Sequence, residues 1–274
     1  PNDDDWQTIN FTKNSSDSEF QYTLFRYGGT HSVLPSGAVI KVDNSSISIK
    51  NSVFEKNFDR GLYLINSKAI IDSNYFLSQN KSDIWSSLAG RAIDVSGGAA
   101  IITNNYFYDN GYGILLSEWL DSSGNIFACQ AEVQNNTFEI NDNPSVFEYS
   151  VVLNTFNGPS FSGNKILNNN GLPGSLAAIL VSADIKKDTI LEPDMPYLFK
   201  GVMEVPEGIT LIIKPGVIMA FHDNWTGMQI NGTLKAIGTA DNPIIFRAYY
   251  YDRDWVLPGN WGGLFFSKTS KDSD

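Results

Sequence analysis

Short apolar blocks recur along residues 20–181 at a fixed internal register. Aligned on Phe25, Phe54, Phe76, Phe107, Phe138 and Ile166, the blocks stand 29, 22, 31, 31 and 28 residues apart. Five residues before each lies an apolar side chain: Phe20, Ile49, Ile71, Ile102, Val133 and Phe161. Two before lie Thr23, Ser52, Asn74, Asn105, Asn136 and Asn164; three after lie Gly28, Asn57, Gln79, Asn110, Asn141 and Asn169. Each block is followed by a second apolar strand, at 39–42, 62–64, 92–95, 114–116, 151–153 and 178–181. The pattern predicts a chain winding into coils of short strands, each strand pairing in parallel with its counterpart one turn on. Inward residues then stack as apolar columns. An Asn at a corner can bond the backbone of neighbouring coils through its amide while tolerating left-handed backbone angles. A β-sandwich, with hairpins between alternating strands, is the rival. Insertions of variable length at the corners, with constant strand register, favour the coil.

Beyond residue 184 the pattern tightens. Shorter strands are expected at 203–205, 210–213, 217–221, 228–230, 234–237 and 244–246, with Gly208, Gly216, Gly232 and Gly238 at corners. We therefore read 1–184 as one stack, 185–201 as a link holding Pro193 and Pro196, and 202–274 as a second stack. Proline cannot donate to a strand ladder, hence the link. The fold class expected is all-β: a single-stranded right-handed parallel β-helix, an elongated solenoid whose coils stabilise one another by stacking.

The two ends of the chain match. Setting Trp6 on Trp261 gives an offset of 255, which places Phe11 on Phe266, Lys13 on Lys268, Ser15 on Ser270, Asp17 on Asp272 and Ser18 on Ser273, with Ile9 opposite Leu264. Such a match marks one full period of a long repeat. A coil stacked beyond the last one should then resemble FQYTLFRYGG, the segment just after Glu19. No capping helix is evident at either end, so both are expected to be open. Trp6, Ile9, Phe11, Trp261, Leu264 and Phe266 become candidate end-to-end contact residues.

The run NNYFYDNGYGILL from Asn104 to Leu116 resembles the repeat of the pectin-lyase-like right-handed β-helices. Residues 188–221, 230–246 and 258–267 resemble the opening module of large prokaryotic surface and secreted β-helix proteins. The resemblance implies a scaffold on which enzymes, adhesins and structural fibres are all built, so function must come from particular residues.

Composition narrows the partners. The net charge of −11 argues against nucleic acid, whose phosphates need clustered Lys and Arg. Charged residues are 18% of the chain, below the roughly 25% of average soluble proteins, with Asn, Ser, Gly and aromatics in their place. Cys129 is alone and reads as a buried small hydrophobe. No stretch is apolar and long enough to span a membrane. Seven Asn-x-Ser/Thr sequons (Asn10, Asn14, Asn44, Asn80, Asn135, Asn224 and Asn231) lend an extracellular or cell-surface setting mild support.

Candidate chemistry is sparse. Sugar hydrolysis needs two carboxylates at a set separation, whereas Asp72, Asp109 and Glu139 fall in different columns. Arg60 stacked on Arg91, with Asp94 on the outward face, is the one lyase-like cluster; solvated rim charges or a surface salt bridge are the plainer reading. His31 and His222 lack metal-ligand spacing, and Asp252, Asp254 and Asp3 to Asp5 lack a calcium-loop pattern. Aromatics crowd one loop at Tyr249, Tyr250, Tyr251 and Trp255, where flat rings could stack on sugar or on a partner. Trp85, Trp119 and Trp225 fall in corner insertions. The expectation is an extracellular structural or adhesive repeat, without cofactor or metal, that continues end to end with further repeats or copies of itself. A carbohydrate-binding module and a polysaccharide lyase or hydrolase are the alternatives.

Overall fold

The structure, a computed structural model, describes residues 6–29, 37–79, 90–139, 149–156, 158–167, 176–249 and 259–271. The chain forms two compact units, 1–152 with 158–177, and 153–157 with 178–274. All regular structure among the described residues is β.

In the first unit the strands stack in parallel along three lines. Ile9–Phe11 pairs with Ala38–Asp43, which pairs with Arg60–Asp72, then Arg91–Thr103, then Tyr112–Ser117. A second line runs from Ser18–Gln21 through Ser46–Lys50 into the later halves of the two 13-residue strands, then to Glu132–Gln134 and Ser160–Ser162. The third links Leu24–Arg26, Val53–Glu55, Tyr75–Leu77, Tyr106–Tyr108, Thr137–Glu139 and Lys165–Leu167.

Both apolar columns expected from the sequence are ladder columns. Phe20, Ile49, Ile71, Ile102, Val133 and Phe161 are successive partners, and so are Phe25, Phe54, Phe76, Phe107, Phe138 and Ile166. The five phenylalanine rings stack at 4.6, 4.9, 5.1 and 4.8 Å between centroids, tilted by 20° or less. The interstrand spacing of about 4.8 Å dictates this separation, so identical flat side chains fill the column without voids.

Polar columns line the corners. Asn74, Asn105, Asn136 and Asn164 each accept, through Oδ1, the backbone N–H of the corner residue one coil earlier, at 2.9–3.1 Å. Their Nδ2 groups donate to the carbonyls of Ile49, Ile71, Ile102 and Val133. At the next corner Asn57 and Asn110 do the same for Gly28 and Gln79. The left-handed angles lie elsewhere than the sequence suggested. They belong to the residue just before each ladder position: Tyr22, Asn51, Ser73, Asn104 and Asn135 at one corner, and Tyr27, Lys56, Ser78 and Asp109 at the next. One residue turns the chain and the next clamps it.

The second unit has shorter coils, and its strands also stack in parallel along three lines. Thr189–Leu191, Thr210–Ile213 and Thr233–Ala236 form one. Tyr197–Phe199, Ile218–Phe221 and Ile245–Ala248 form another. Val202–Val205, Gly227–Ile230 and Gly263–Phe266 form the third. The segment 185–200, read from its prolines as a link, contains two of these strands. Pro193 and Pro196 sit in the corner between them, outside the ladders, where the missing N–H takes no donor from a sheet.

Candidate functional site

The residues expected to make end-to-end contacts fall on the last coil of the second unit and the first coil of the first. In the second unit Met203, Met228 and Leu264 form one ladder column and Val205, Ile230 and Phe266 the next. The inner members Val205, Met228 and Ile230 are fully buried, while Phe266 is 52% exposed. Trp261 lies flat on Phe221, 4.7 Å between centroids and tilted by 16°. On its other side Gly263–Phe266 pairs with no strand among the described residues.

In the first unit Trp6 bridges to Gly28 and donates Nε1–H to the Arg26 carbonyl at 2.8 Å. A Cβ on Gly28 would come within 2.5 Å of the indole, so only glycine fits beneath that ring. Ile9, Asn10 and Phe11 pair with Ile40, Lys41 and Val42. The 255-residue match carries through to geometry. Ile9–Phe11 and Gly263–Phe266 are both strands, and each leads into the same turn: Ser15 N–H donates to the Thr12 carbonyl at 2.7 Å, and Ser270 N–H to the Ser267 carbonyl at 3.2 Å. Positions 272 and 273 lie outside the described residues.

The arginine cluster is buried, contrary to the rim reading. Arg60 and Arg91 are ladder partners. Arg60 Nε donates to Asp94 Oδ2 at 2.9 Å and its Nη1 to Asp59 Oδ2 at 3.1 Å; Arg91 Nη1 reaches the same Asp94 oxygen at 2.5 Å. Side-chain exposure is 3% for Asp94, 8% for Asp59, 9% for Arg60 and 11% for Arg91. The Arg60 guanidinium also sits over the Tyr63 ring, 4.6 Å from its centroid. Asp59 Oδ1 and Asp94 Oδ1 are buried without a hydrogen-bond partner. Burial pushes the Asp59 carboxyl up to about 6, against the pull of Arg60 and Arg91. Asp59 was missed in the sequence because its neighbours arrive from other coils. Both arginines thus share one carboxylate oxygen.

Asp109 and Glu139, from different columns, nonetheless line one cleft with Phe107, Phe138 and Tyr149. Glu139 accepts the Tyr106 hydroxyl, and Asp109 accepts Ser78 Oγ–H at 3.0 Å. Asp72 accepts from Asn104, Thr103 and Ser73. Burial would raise its carboxyl, but these donors together hold it below the usual range. No group of three or more His, Cys, Asp or Glu able to hold a metal occurs among the described residues. Cys129 is fully buried, and burial pushes its thiol up to about 12.

Of the aromatic loop, Tyr250, Tyr251 and Trp255 lie outside the described residues. Tyr249 is half-buried and stacks on His222, whose Nδ1 is 3.1 Å from Asp223 Oδ2. Trp119 packs on Phe127 within a small antiparallel hairpin, whereas Trp225 is exposed. An aromatic surface absent from the sequence-based candidates lies on the outward face of the third line, where Tyr75 and Tyr106 are ladder partners 5.7 Å apart, Tyr75 half-exposed. The apolar parity of YFL and YFY carried that signal.

Residues 9–186 match the family model described as a right handed beta helix region, and residues 183–271 one described as a pectate-lyase like beta helix domain. Over 70 residues the chain is 37% identical to Protein bark beetle of Drosophila melanogaster. That stretch is 25% of this chain and 2% of the relative, so the chain spans a small part of a very long protein. No solved structure matches. Ladder register, corner clamps and family match agree, and the chain belongs to the right-handed β-helix family.

Proposed function

We propose that this chain is a structural or adhesive β-helix repeat unit, extracellular or at the cell surface, that is continued end to end by further coils. The observation that carries this reading is Phe266, an inner-column residue standing on fully buried Ile230 yet itself 52% exposed. An apolar column left open in this way favours another coil above it, since each large side chain covered contributes roughly 1.5–3 kcal/mol. The match of one 70-residue stretch to a relative of which it is 2% supports the same reading. The proposal assigns no catalysis, cofactor or metal to the chain, in keeping with the arginine side chains tied to Asp94.

The test is sedimentation of the chain across a wide concentration range, with Phe266→Asp beside it. Concentration-dependent association that the substitution removes is the expected result. Sedimentation as a monomer at every concentration, unchanged by Phe266→Asp, overturns the proposal. A carbohydrate-contact reading draws on one observation, the outward Tyr75–Tyr106 pair. Retention on insoluble polysaccharide that Tyr75→Ala abolishes would replace the structural reading with that one.

A further inference from the structure

The open coil presents one half of a contact whose complement is already present in the chain. We infer that the surface of Trp261, Leu264 and Phe266 receives a coil with the sequence character of residues 20–29 and 38–43, in the register that these residues already take on Trp6, Ile9 and Phe11. The inference rests on the end-to-end reading above and goes further, since it names the occupant and fixes its register.

Two independent contacts specify the occupant. The first is the ladder. Ile9 and Phe11 are covered by Ile40 and Val42, both fully buried, and Leu264 and Phe266 occupy the same places 255 residues later in a strand that leads into the same hydrogen-bonded turn. The second is the indole. Trp6 lies against Gly28, a position too tight for any Cβ, and its Nε1–H needs the carbonyl of Arg26. Trp261 has its inner face on Phe221. A glycine with a carbonyl two residues before it would complete its outer side as Gly28 and Arg26 complete Trp6. A coil of this chain offers both the apolar strand and the glycine.

The match also sets how copies join. Because the coil at 261–271 repeats the coil at 6–16, two repeats joined in this register share one coil, in which the residue after Ser270 is the equivalent of Ser16. Stacking of whole copies through Phe266 would set two equivalent coils face to face, a weaker contact in which Trp261 meets Trp6 in place of Gly28.

Two fusions of the full chain separate these arrangements. In one, residues 1–270 run directly into residue 16 of a second copy; in the other, residue 274 runs into residue 1. Hydrogen exchange is read at the amides of Gly263–Phe266, with Trp261 emission as a second signal. The shared-coil fusion should slow exchange of the outward amides by at least tenfold relative to the single chain and shift Trp261 emission to the blue. The end-to-start fusion should slow exchange less and leave Trp261 emission unshifted. Gly28→Val in the second copy alone should return Trp261 emission to its single-chain value while the first copy stays folded. Equal exchange in the two fusions overturns the inference. If the chain still associates through Phe266 while the shared-coil fusion shows no protection, the occupant is wrong and the end-to-end reading stands. If association through Phe266 is also missing, both fall.

Discussion

The two units solve the same problem, turning a corner every few residues, by different chemistry. In the first, corners are closed by buried side-chain amides that reach into the next coil, as Asn105 does for Asn74. In the second, corners close largely with backbone turns of their own, such as Ile209 N–H on the Pro206 carbonyl and Val217 N–H on the Lys214 carbonyl, and side chains clamp a neighbouring coil at Gly201 (by Thr226) and Thr210 (by Asp188). Thr226 is the main buried polar side chain there, against a run of Asn, Ser and Gln in the first unit. Coupling between coils is therefore separable from coil formation. A side-chain clamp makes each coil depend on its neighbour's sequence, whereas a local turn depends on its own few residues.

The substitution that should most damage the clamped arrangement is Asn105→Leu. It leaves the Asn74 N–H and the Ile71 carbonyl buried without partners. At about 1–3 kcal/mol for each orphaned group, the expected loss is on the order of 2–6 kcal/mol in chemical denaturation. Exchange should rise on both sides of the substitution. Unchanged denaturation would show that the amide columns do not couple the coils.

A matched pair of glycines isolates the same contrast at the backbone. Gly98 and Gly208 share a φ of +80°. A Cβ on Gly98 would fall on the Ser67 amide nitrogen and carbonyl oxygen of the adjacent coil, whereas around Gly208 nothing lies within 4 Å. Gly208→Ala should therefore lose only the left-handed penalty, about 1–2 kcal/mol. Gly98→Ala should lose clearly more, and melting curves of the two variants side by side decide it.

The buried charges, present in the first unit alone among the described residues, give a pH-dependent test. The folded Asp59 carboxyl titrates at about 6, above its ordinary 3.8, so the folded state binds the proton more tightly than the unfolded chain does. Stability from this group is present below about 3.8 and is lost as the pH rises through about 6. Asp59→Asn, at a left-handed position that suits Asn, should stabilise the protein by roughly 1–3 kcal/mol at pH 7 and by much less at pH 4. Equal shifts in melting temperature at both values would contradict this account. At the small end, Lys214→Ala removes the half-exposed pair with Glu192 in the second unit and should change stability by less than about 1 kcal/mol.

Much of the first unit was legible because its inward columns are written in large identical residues. Phe54, Phe76 and Phe107 fix the register wherever the corners vary in length. The clamps were legible as positions, but their division of labour was not. In the pairs Asn104–Asn105 and Asn135–Asn136, the first residue turns and the second bonds, and composition alone makes them look interchangeable. The strands Thr189–Leu191 and Tyr197–Phe199 went unread because two prolines between them outweighed two short apolar runs. Burial of Asp94 and Asp59 was beyond the sequence, since it depends on side chains that meet only when coils stack.

The amide columns also have an arrow. The clamps reach backward: Asn57 to Gly28 and Phe25, Asn74 to Ser52 and Ile49, Asn105 to Asn74 and Ile71, Ser67 to Ser45 and Val42. A coil is therefore locked by the one made after it. A chain emerging from its amino end, from a ribosome or through a pore, seals each finished turn as the next arrives. Cutting from the carboxyl end strips the clamp from a corner N–H, while cutting from the amino end removes the N–H that the clamp held and leaves the clamp itself in place. The clamps give this helix a direction, written in which way the asparagines point.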